Sequence, residues 1–260
     1  MIELEALRWS PRWVSHMGCI QGCLKYLDIQ VSDAWLYGAT GHAFVLNING
    51  NLCPSGPTDW DSKDFFRLGK NLGYTAKGVF GWKGDHDLDE MQEKAGAYVR
   101  SALDSGLPCY GWELDVPEFY VIFGYDDDGY YVSGPHCEEG KGPVSWRELG
   151  ITPAFGLAYN TAVWAECRRN AWHFLQEAQK RLADDKADSL FHETIAQFKT
   201  VSENLEPLKA LYPFEPELSM DPIGLDARSE PAVKSLKLAR EAEKTGLDLI
   251  VRIVKHLSDD

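Results

Sequence analysis

Two short segments hold the residues best suited to nucleophilic chemistry. The first, SHMGCIQGCLKYL at 15–27, carries Ser15, His16 and Cys19 near the start of a predicted helix. The dipole and N–H groups of a helix N-terminus lower the pKa of a nearby thiol and stabilise an oxyanion. The second segment begins with Glu118, whose carboxylate opens a later apolar strand and can serve as a base. A thiol enzyme using Cys19 is therefore one hypothesis.

Two histidines extend this hypothesis, and each candidate also has a structural interpretation. His42 opens a predicted strand and His136 follows a predicted hairpin, so either imidazole is a candidate base, with Glu118 as its orienting group or as the base itself. Structurally, Ser15 is a helix cap, Cys19 is a small core residue, and both histidines are structural or exposed. Glu118 is either a solvated carboxylate at a strand edge or, if buried in a cleft, a base or ligand anchor with a raised pKa.

Aromatic residues are crowded around the central strands of the chain. Such a group lines an apolar ligand pocket in some proteins and forms ordinary core in others, so both interpretations stay open. The residues concerned are Trp112, Phe119, Tyr120, Tyr130 and Tyr131.

The cysteines do not form a metal-binding pattern. Six are dispersed along the chain, and three residues separate the only close pair, Cys19 and Cys23. A zinc site is therefore not predicted, and most of these cysteines are expected to be reduced, buried thiols. Phosphate-binding and dinucleotide-binding glycine motifs are also missing from the sequence, so no metal and no cofactor are expected.

Composition restricts the partners of the chain. The formal net charge is −14 and no run of Lys and Arg supplies a basic patch, so nucleic acid and anionic membranes are not expected partners. No stretch reaches the roughly 18 apolar residues of a spanning helix. The N-terminal MIELEALRWSPRW lacks the basic start and apolar core of a signal peptide, which favours the cytoplasm.

The periodicity of apolar residues predicts mixed elements first and helices afterwards. In the first part, helices are expected at 15–27, 33–38, 59–72 and 90–104. Strands are expected at 42–48, 74–82, 108–114, 119–125, 130–134 and 155–161, with a tight turn at DDDG, 126–129. Three long helices follow, at 162–185, 187–210 and 230–257. A boundary near residue 160 therefore separates an α+β domain, 1–160, from a helical domain, 161–260.

The hairpin and the first helix together carry a family resemblance. PEFYVIFGYDDDGYYVSGP at 117–135 resembles the pattern of C39-like, papain-type cysteine peptidases, in which a His opens a strand ending in Gly-Tyr-Asp and the return strand ends in Asp-Pro. The helix and the following SDAWLYGATGHAFVLNI resemble the N-terminal domains of the butirosin-biosynthesis-H-like family, which begin with a Cys-His pair and transfer acyl groups. The resemblance covers about residues 10–160 and implies a papain-like fold with an antiparallel sheet.

This chain departs from the family pattern at its catalytic positions. Counting back from Gly124 places the family His on Glu118, and counting back from Pro135 places the orienting Asp on Gly134. Aligning KYLDI with the end of the family helix places the nucleophile on Ser15, beside His16. An alternative register makes Cys19, one helical turn later, the nucleophile.

Three hypotheses follow. The first is a papain-like scaffold without the standard triad that binds a small or peptide-like ligand in the former cleft, where Trp112, Phe119, Tyr120 and Tyr131 are candidate contacts. The second is an active peptidase, amidase or acyltransferase using Cys19. The third is an interaction protein that works through its long helices and associates with itself through residues 162–260.

Overall fold

The chain folds into two compact units that do not follow a single sequence boundary. The computed structural model describes residues 1–48, 62–81, 87–147, 156–211 and 225–259. One unit comprises Met1–Val31 and Tyr74–Pro153, and the other comprises Ser32–Gly73 and Ala154–Asp260. Packing thus groups residues 32–73 with the C-terminal helices, because the helix that follows Ser32 packs on the first of them. The division into domains 1–160 and 161–260 stays a prediction.

An antiparallel sheet is the centre of the first unit. Its strands are β1 (Ile2–Glu3), β2 (Cys109–Trp112), β3 (Phe119–Tyr125), β4 (Gly129–Gly134) and β5 (Cys137–Ser145). β1 pairs with the end of β3 and β2 with its beginning, while β4 pairs with β3 through the hairpin and β5 pairs with β4. The predicted hairpin at 119–134 is therefore confirmed.

Two helices cover the sheet, α1 (Ser15–Tyr26) and α4 (Leu88–Asp104). Side chains of β3 alternate between them, as the pleat of a strand requires. Val121 packs with Cys19 of α1, whereas Ile122 packs with Leu103 of α4. The sheet thus has a core on each face, and the face towards α1 is the one beside Ser15, His16 and Cys19.

The second unit consists of helices in the part of the chain that the structure describes. They are α2 (Asp33–Ala39), α3 (Ser62–Leu68) continued by a 3-10 turn (Gly69–Leu72), α5 (Gly156–Leu182), α6 (Asp188–Leu211) and α7 (Leu225–Asp259). α6 packs against both α5 and α7. Trp164 and Val201 join Ala239 in the apolar core between these helices. Ser32 caps α2 as expected, since its side chain accepts a hydrogen bond from the Trp35 N–H.

Three predicted strands are wrong. Residues 42–48 form a turn and an irregular segment, because the Arg168 side chain, and not a neighbouring strand, binds the carbonyls of Ala43 and Val45. Residues 74–81 are irregular, and residue 82 lies outside the described residues. Of the strand predicted at 155–161, residue 155 lies outside the described residues and residues 156–161 begin α5, since a short apolar run looks the same at the start of a buried helix as in a buried strand.

Two strands, β1 and β5, were not predicted, and both α5 and α7 begin earlier than expected. β5 is polar and contains glycine and proline, and Val144 is its only buried residue, so its sequence resembles a loop. It is tolerated because it pairs with β4 alone among the described strands, at the edge of the sheet. α7 begins at Leu225, upstream of the start expected at residue 230, and contains Pro231 inside the helix.

The α+β class with an antiparallel sheet and long helices is confirmed. Within the described ranges, no helix combines the length and apolar character needed to cross a bilayer.

Candidate functional site

The start of α1 meets the start of β3 through a hydrogen bond between two predicted site residues. The Ser15 hydroxyl donates to the carboxylate of Glu118 and accepts from the backbone N–H of Phe119 at 3.1 Å. Ser15 is 3% exposed, whereas Glu118 is half-buried. The N-cap is Val14, which makes no side-chain cap hydrogen bond, so the cap predicted at Ser15 is wrong by one residue. Ser15 is instead the first helical residue, and its hydroxyl bridges to the strand.

The N-terminal segment fixes the position of Ser15. The indole N–H of Trp9 donates to the Ser15 carbonyl at 3.0 Å, and the Ser10 N–H donates to the Gly18 carbonyl at 3.1 Å. A Cβ added at Gly18 would lie 2.1 Å from the Trp9 indole nitrogen and 2.4 Å from the Ser10 carbonyl oxygen. Glycine is therefore required for the helix to approach this segment. The backbone N–H of Trp9 also donates to the Ser133 hydroxyl at 3.1 Å, which ties the segment to β4.

The connection between β2 and β3 positions Glu118. The Glu113 N–H donates to the Glu118 carbonyl at 2.9 Å, and the Glu118 N–H donates to the Val116 carbonyl at 2.6 Å. The Val116 N–H donates to the Tyr120 hydroxyl at 3.2 Å. These bonds close the loop directly before β3, so the carboxylate is placed by a well-bonded backbone and not by a free strand end.

His16 is enclosed by aromatic rings. It is 3% exposed, its ring stacks on Phe119 at a centroid distance of 4.4 Å, and its Nε2 lies 3.1 Å from the Tyr110 hydroxyl. Burial lowers the pKa of His16 to about 3. The imidazole is therefore neutral near pH 7, and this environment disfavours the imidazolium that a base would have to become.

Cys19 lies in the core of the α1 face. It is fully buried and clusters with Leu7, Trp9 and Val121. Burial raises its pKa well above the ordinary value, and the nearby Cys23 and Glu118 raise it further. A nucleophilic cysteine needs the opposite, a lowered pKa and access to substrate. The geometry therefore gives no support to Cys19 as nucleophile.

The two other histidine candidates lie apart from the pair of Ser15 and Glu118. His42 belongs to the second unit, where it is buried and stacks on Phe65 at a centroid distance of 3.9 Å. His136 is exposed and occupies the turn between β4 and β5 with a positive φ of 65°. In the described part of the chain, no hydrogen bond or ring contact connects His136 with Ser15 or Glu118.

The predicted aromatic ligand contacts divide between the two faces of the sheet. Trp112 and Phe119 are cross-strand partners, with ring centroids 4.7 Å apart, and both are half-buried. Tyr131 is on the same face, and its hydroxyl donates to Asp126 at 2.6 Å. Tyr120 is fully buried on the opposite face, so it packs in the core instead of joining the others.

Tyr110 was missed by the sequence reasoning. It is the hydroxyl partner of His16, and burial raises its pKa well above the ordinary value, so it stays protonated. Alternation along PCYGWEL places Tyr110 and Trp112 on one face of a strand, which was the signal available in the sequence. At Gly134, the position on which the count from Pro135 falls, a Cβ would lie 2.3 Å from the Tyr120 ring, so a larger residue there requires that ring to move.

No cluster of three or more His, Cys, Asp and Glu side chains suited to a metal ion occurs among the residues that the structure describes. Comparison of the chain with protein-family models, with curated proteins and with solved structures finds no match.

Proposed function

We propose that the first unit is a papain-type scaffold, similar to C39-like peptidases, that binds a small or peptide-like ligand beside Ser15 and Glu118 and lacks cysteine catalysis. The hydrogen bond between these two residues carries the proposal. Each was assigned to a family catalytic position by a separate count along the sequence, Ser15 from KYLDI and Glu118 from Gly124. Because the two counts are separate and end on residues that are hydrogen-bonded to each other, they support this alignment with the family motif and, through it, the resemblance.

The charge of Glu118 argues against catalysis by a thiol at this site. Thiol enzymes hold a cationic imidazolium beside the sulfur, which stabilises the thiolate. A carboxylate at the same place repels a developing anion, and the negative charge of Glu118 already contributes to the raised pKa of Cys19. The Ser15 hydroxyl also accepts the Phe119 N–H and donates to Glu118, so it serves as a structural bridge.

The same features suit ligand binding. Glu118 is a half-buried hydrogen-bond acceptor, and the adjoining Trp112 and Phe119 rings are also half-buried. Charge-assisted hydrogen bonds to a carboxylate are stronger than neutral ones. A ligand with an ammonium or amide N–H next to an apolar group therefore matches the site, and peptide-like molecules have this combination.

Restoring the family residues tests the scaffold. The variant Ser15→Cys with Glu118→His should gain one cysteine that iodoacetamide alkylates rapidly, with an apparent pKa below the usual ~8.5 of a free thiol. Ser15→Cys alone should remain slow, because Glu118 is still anionic. Peptide mass spectrometry over a pH series reads each cysteine separately, and Ser101→Cys, on the exposed side of α4, supplies the rate of an ordinary thiol.

Either of two results would overturn this proposal. Rapid alkylation of Cys19 in the unchanged protein, with a lowered pKa, would establish the thiol-enzyme hypothesis. A double variant no more reactive than Ser15→Cys alone would refute the assignment of Ser15 and Glu118 to the family's nucleophile and histidine positions.

Ligand binding is tested with phenylalaninamide, a small peptide-like cation with an aromatic ring. Calorimetric titration of the full chain should detect binding, and Glu118→Gln should weaken it by about tenfold, because it removes one charge-assisted hydrogen bond. Glu113→Gln, in the same loop, is the matched control and should leave binding unchanged. Absence of binding to the unchanged protein, or equal binding by Glu118→Gln, would refute a ligand site at Glu118.

A further inference from the structure

A concave site lies between α4 and the end of β5, in the first unit. It has a volume of about 280 Å³ and is lined by Gln92, Glu93, Gly96, Arg100, Trp146 and Arg147. None of these residues belongs to the pair of Ser15 and Glu118 or to its aromatic neighbours. The volume is close to the lower end of the range for small-molecule pockets, ~300 Å³.

The pocket contains more positive than negative charge. Arg100 and Arg147 line it together, against the single carboxylate of Glu93. Within the described residues, neither arginine side chain forms an ion pair or a hydrogen bond with a protein group. In a chain with a formal net charge of −14, two guanidinium groups left without carboxylate partners in one concavity form a local site for an anion.

One wall of the pocket is a rigid aromatic surface. The Arg100 guanidinium lies over the Trp146 ring, 4.8 Å from its centroid. The Tyr130 and Tyr125 rings contact Trp146 at centroid distances of 4.3 Å and 6.0 Å, and the Trp146 indole N–H donates to the Asp127 carbonyl at 3.4 Å. Trp146 is nevertheless only half-buried, so part of the indole remains available to a ligand.

Glycine forms the floor of the pocket. A Cβ at Gly96 would lie 3.5 Å from an Arg100 guanidinium nitrogen and 3.5 Å from the Tyr130 hydroxyl oxygen. Any longer side chain at this helical position would occupy the space between Arg100, Tyr130 and Trp146. The absence of a side chain at residue 96 therefore leaves the concavity open.

We propose that this pocket binds a small planar anion, meaning a carboxylate or phosphate group attached to an aromatic ring. Arg100 and Arg147 bind the anionic group, for which the fork geometry of guanidinium is suited. The ring of the ligand packs along the exposed part of the Trp146 indole, as aromatic pairs do.

Calorimetric titration of the full chain with benzoate and phenyl phosphate tests the site and distinguishes the two anions. At least one of them should bind, and inorganic phosphate and benzyl alcohol should each bind at least about tenfold more weakly, since each offers half of the recognised chemistry. Binding should weaken as salt is added. No binding by either planar anion would overturn the proposal, and so would equal binding by benzyl alcohol.

Charge variants give the sharper test. Both arginines are exposed, so Arg100→Gln with Arg147→Gln should fold normally and lose binding by about tenfold or more. Glu93→Gln should strengthen binding, because it removes the like charge.

The control is Arg240→Gln with Lys244→Gln, which removes two exposed cations from α7. Equal effects of the two double variants, or weaker binding by Glu93→Gln, would contradict the site. Glu118→Gln should not change this binding, which separates the present proposal from the proposed function.

Discussion

Two carboxylates in the two units have opposite surroundings. In the second unit, the Arg168 guanidinium is fully buried and binds Glu243 at 2.9 and 3.0 Å from its Nε, with Nη1 donating to the carbonyls of Ala43 and Val45 at 2.7 and 3.0 Å. In the first unit, Glu118 receives a neutral hydroxyl and remains half-buried.

The two carboxylates differ in the charge of their partner and in the burial of that partner's surroundings. A buried charge is tolerated only when ion pairing and hydrogen bonds replace its hydration, and Arg168 has both. Because its N–H donors are bound inside the fold, the Arg168 guanidinium has little hydrogen-bonding capacity left for a ligand. The Glu118 carboxylate accepts from a neutral hydroxyl and is partly open to its surroundings, as the acceptor of a binding site needs to be.

Arg168→Met is expected to have the largest effect. It leaves Glu243 without its guanidinium and two backbone carbonyls without their donor, so the free energy of unfolding should fall by ~3–5 kcal/mol. Urea denaturation followed by far-UV circular dichroism measures this. The neighbouring Arg169 has a 43% exposed side chain and a 3.7 Å contact with Glu206, so Arg169→Met should change stability by less than ~1 kcal/mol. Similar losses in the two variants would mean that burial does not distinguish these arginines.

Gly18→Ala should destabilise the first unit by ~3 kcal/mol, because the new methyl group meets the Ser10 backbone carbonyl at 2.4 Å. Gly96→Ala on α4 is the matched control. Its Cβ finds no neighbour closer than 3.5 Å, and alanine favours a helix, so stability should be unchanged or higher. Thermal unfolding monitored by tryptophan fluorescence compares the two, and a tolerated alanine at residue 18 would contradict the close approach that positions Ser15.

The free energy of unfolding should decrease as the pH is lowered, because folding lowers the pKa of His16. Its folded-state pKa is lowered from 6.5 to about 3, so between these values the unfolded chain binds a proton that the folded chain does not. The free energy of unfolding should therefore decrease by about 1.4 kcal/mol per pH unit as the pH falls below 6.5. His16→Phe should reduce the slope by this amount in urea denaturations over that range.

Ser15→Ala should lower the free energy of unfolding by only ~1–2 kcal/mol, because it removes the acceptor of the Phe119 N–H and the donor to Glu118. Ser15→Thr keeps the hydroxyl and serves as the control. Titration of both variants with phenylalaninamide tests whether the hydroxyl at residue 15 also orients the Glu118 carboxylate for binding. If Ser15→Ala leaves stability and binding as they were, the Ser15–Glu118 bridge is not what orients the carboxylate.

Much of the fold was predictable because the local signals were strong. Helical spacing identified α1, α4 and α6, and β-forming residues around an Asp-Gly turn identified the β3–β4 hairpin. The strand expected at 42–48 failed because its carbonyls bind a side chain that lies more than 120 residues away in sequence. Local propensity contains no information about such a partner.

The candidate site was predictable in part. Counting along two motifs selected Ser15 and Glu118, which the structure brings together. Cys19 and Tyr120, in contrast, are fully buried, so the structure does not support the nucleophile and ligand-contact roles considered for them. A residue type suggests what chemistry a side chain can do. Its exposure, and hence its pKa and access to substrate, depends on which faces of the elements meet.

The sequence by itself determined the α+β class, the hairpin and the long C-terminal helices. Only the tertiary structure decided that Cys19 is sealed in the core, that His16 is neutral, and that Arg100 and Arg147 share a pocket with Trp146. The physical reason is that helix and strand formation depends on neighbours a few residues apart. Burial and electrostatic environment instead depend on contacts between segments distant in sequence.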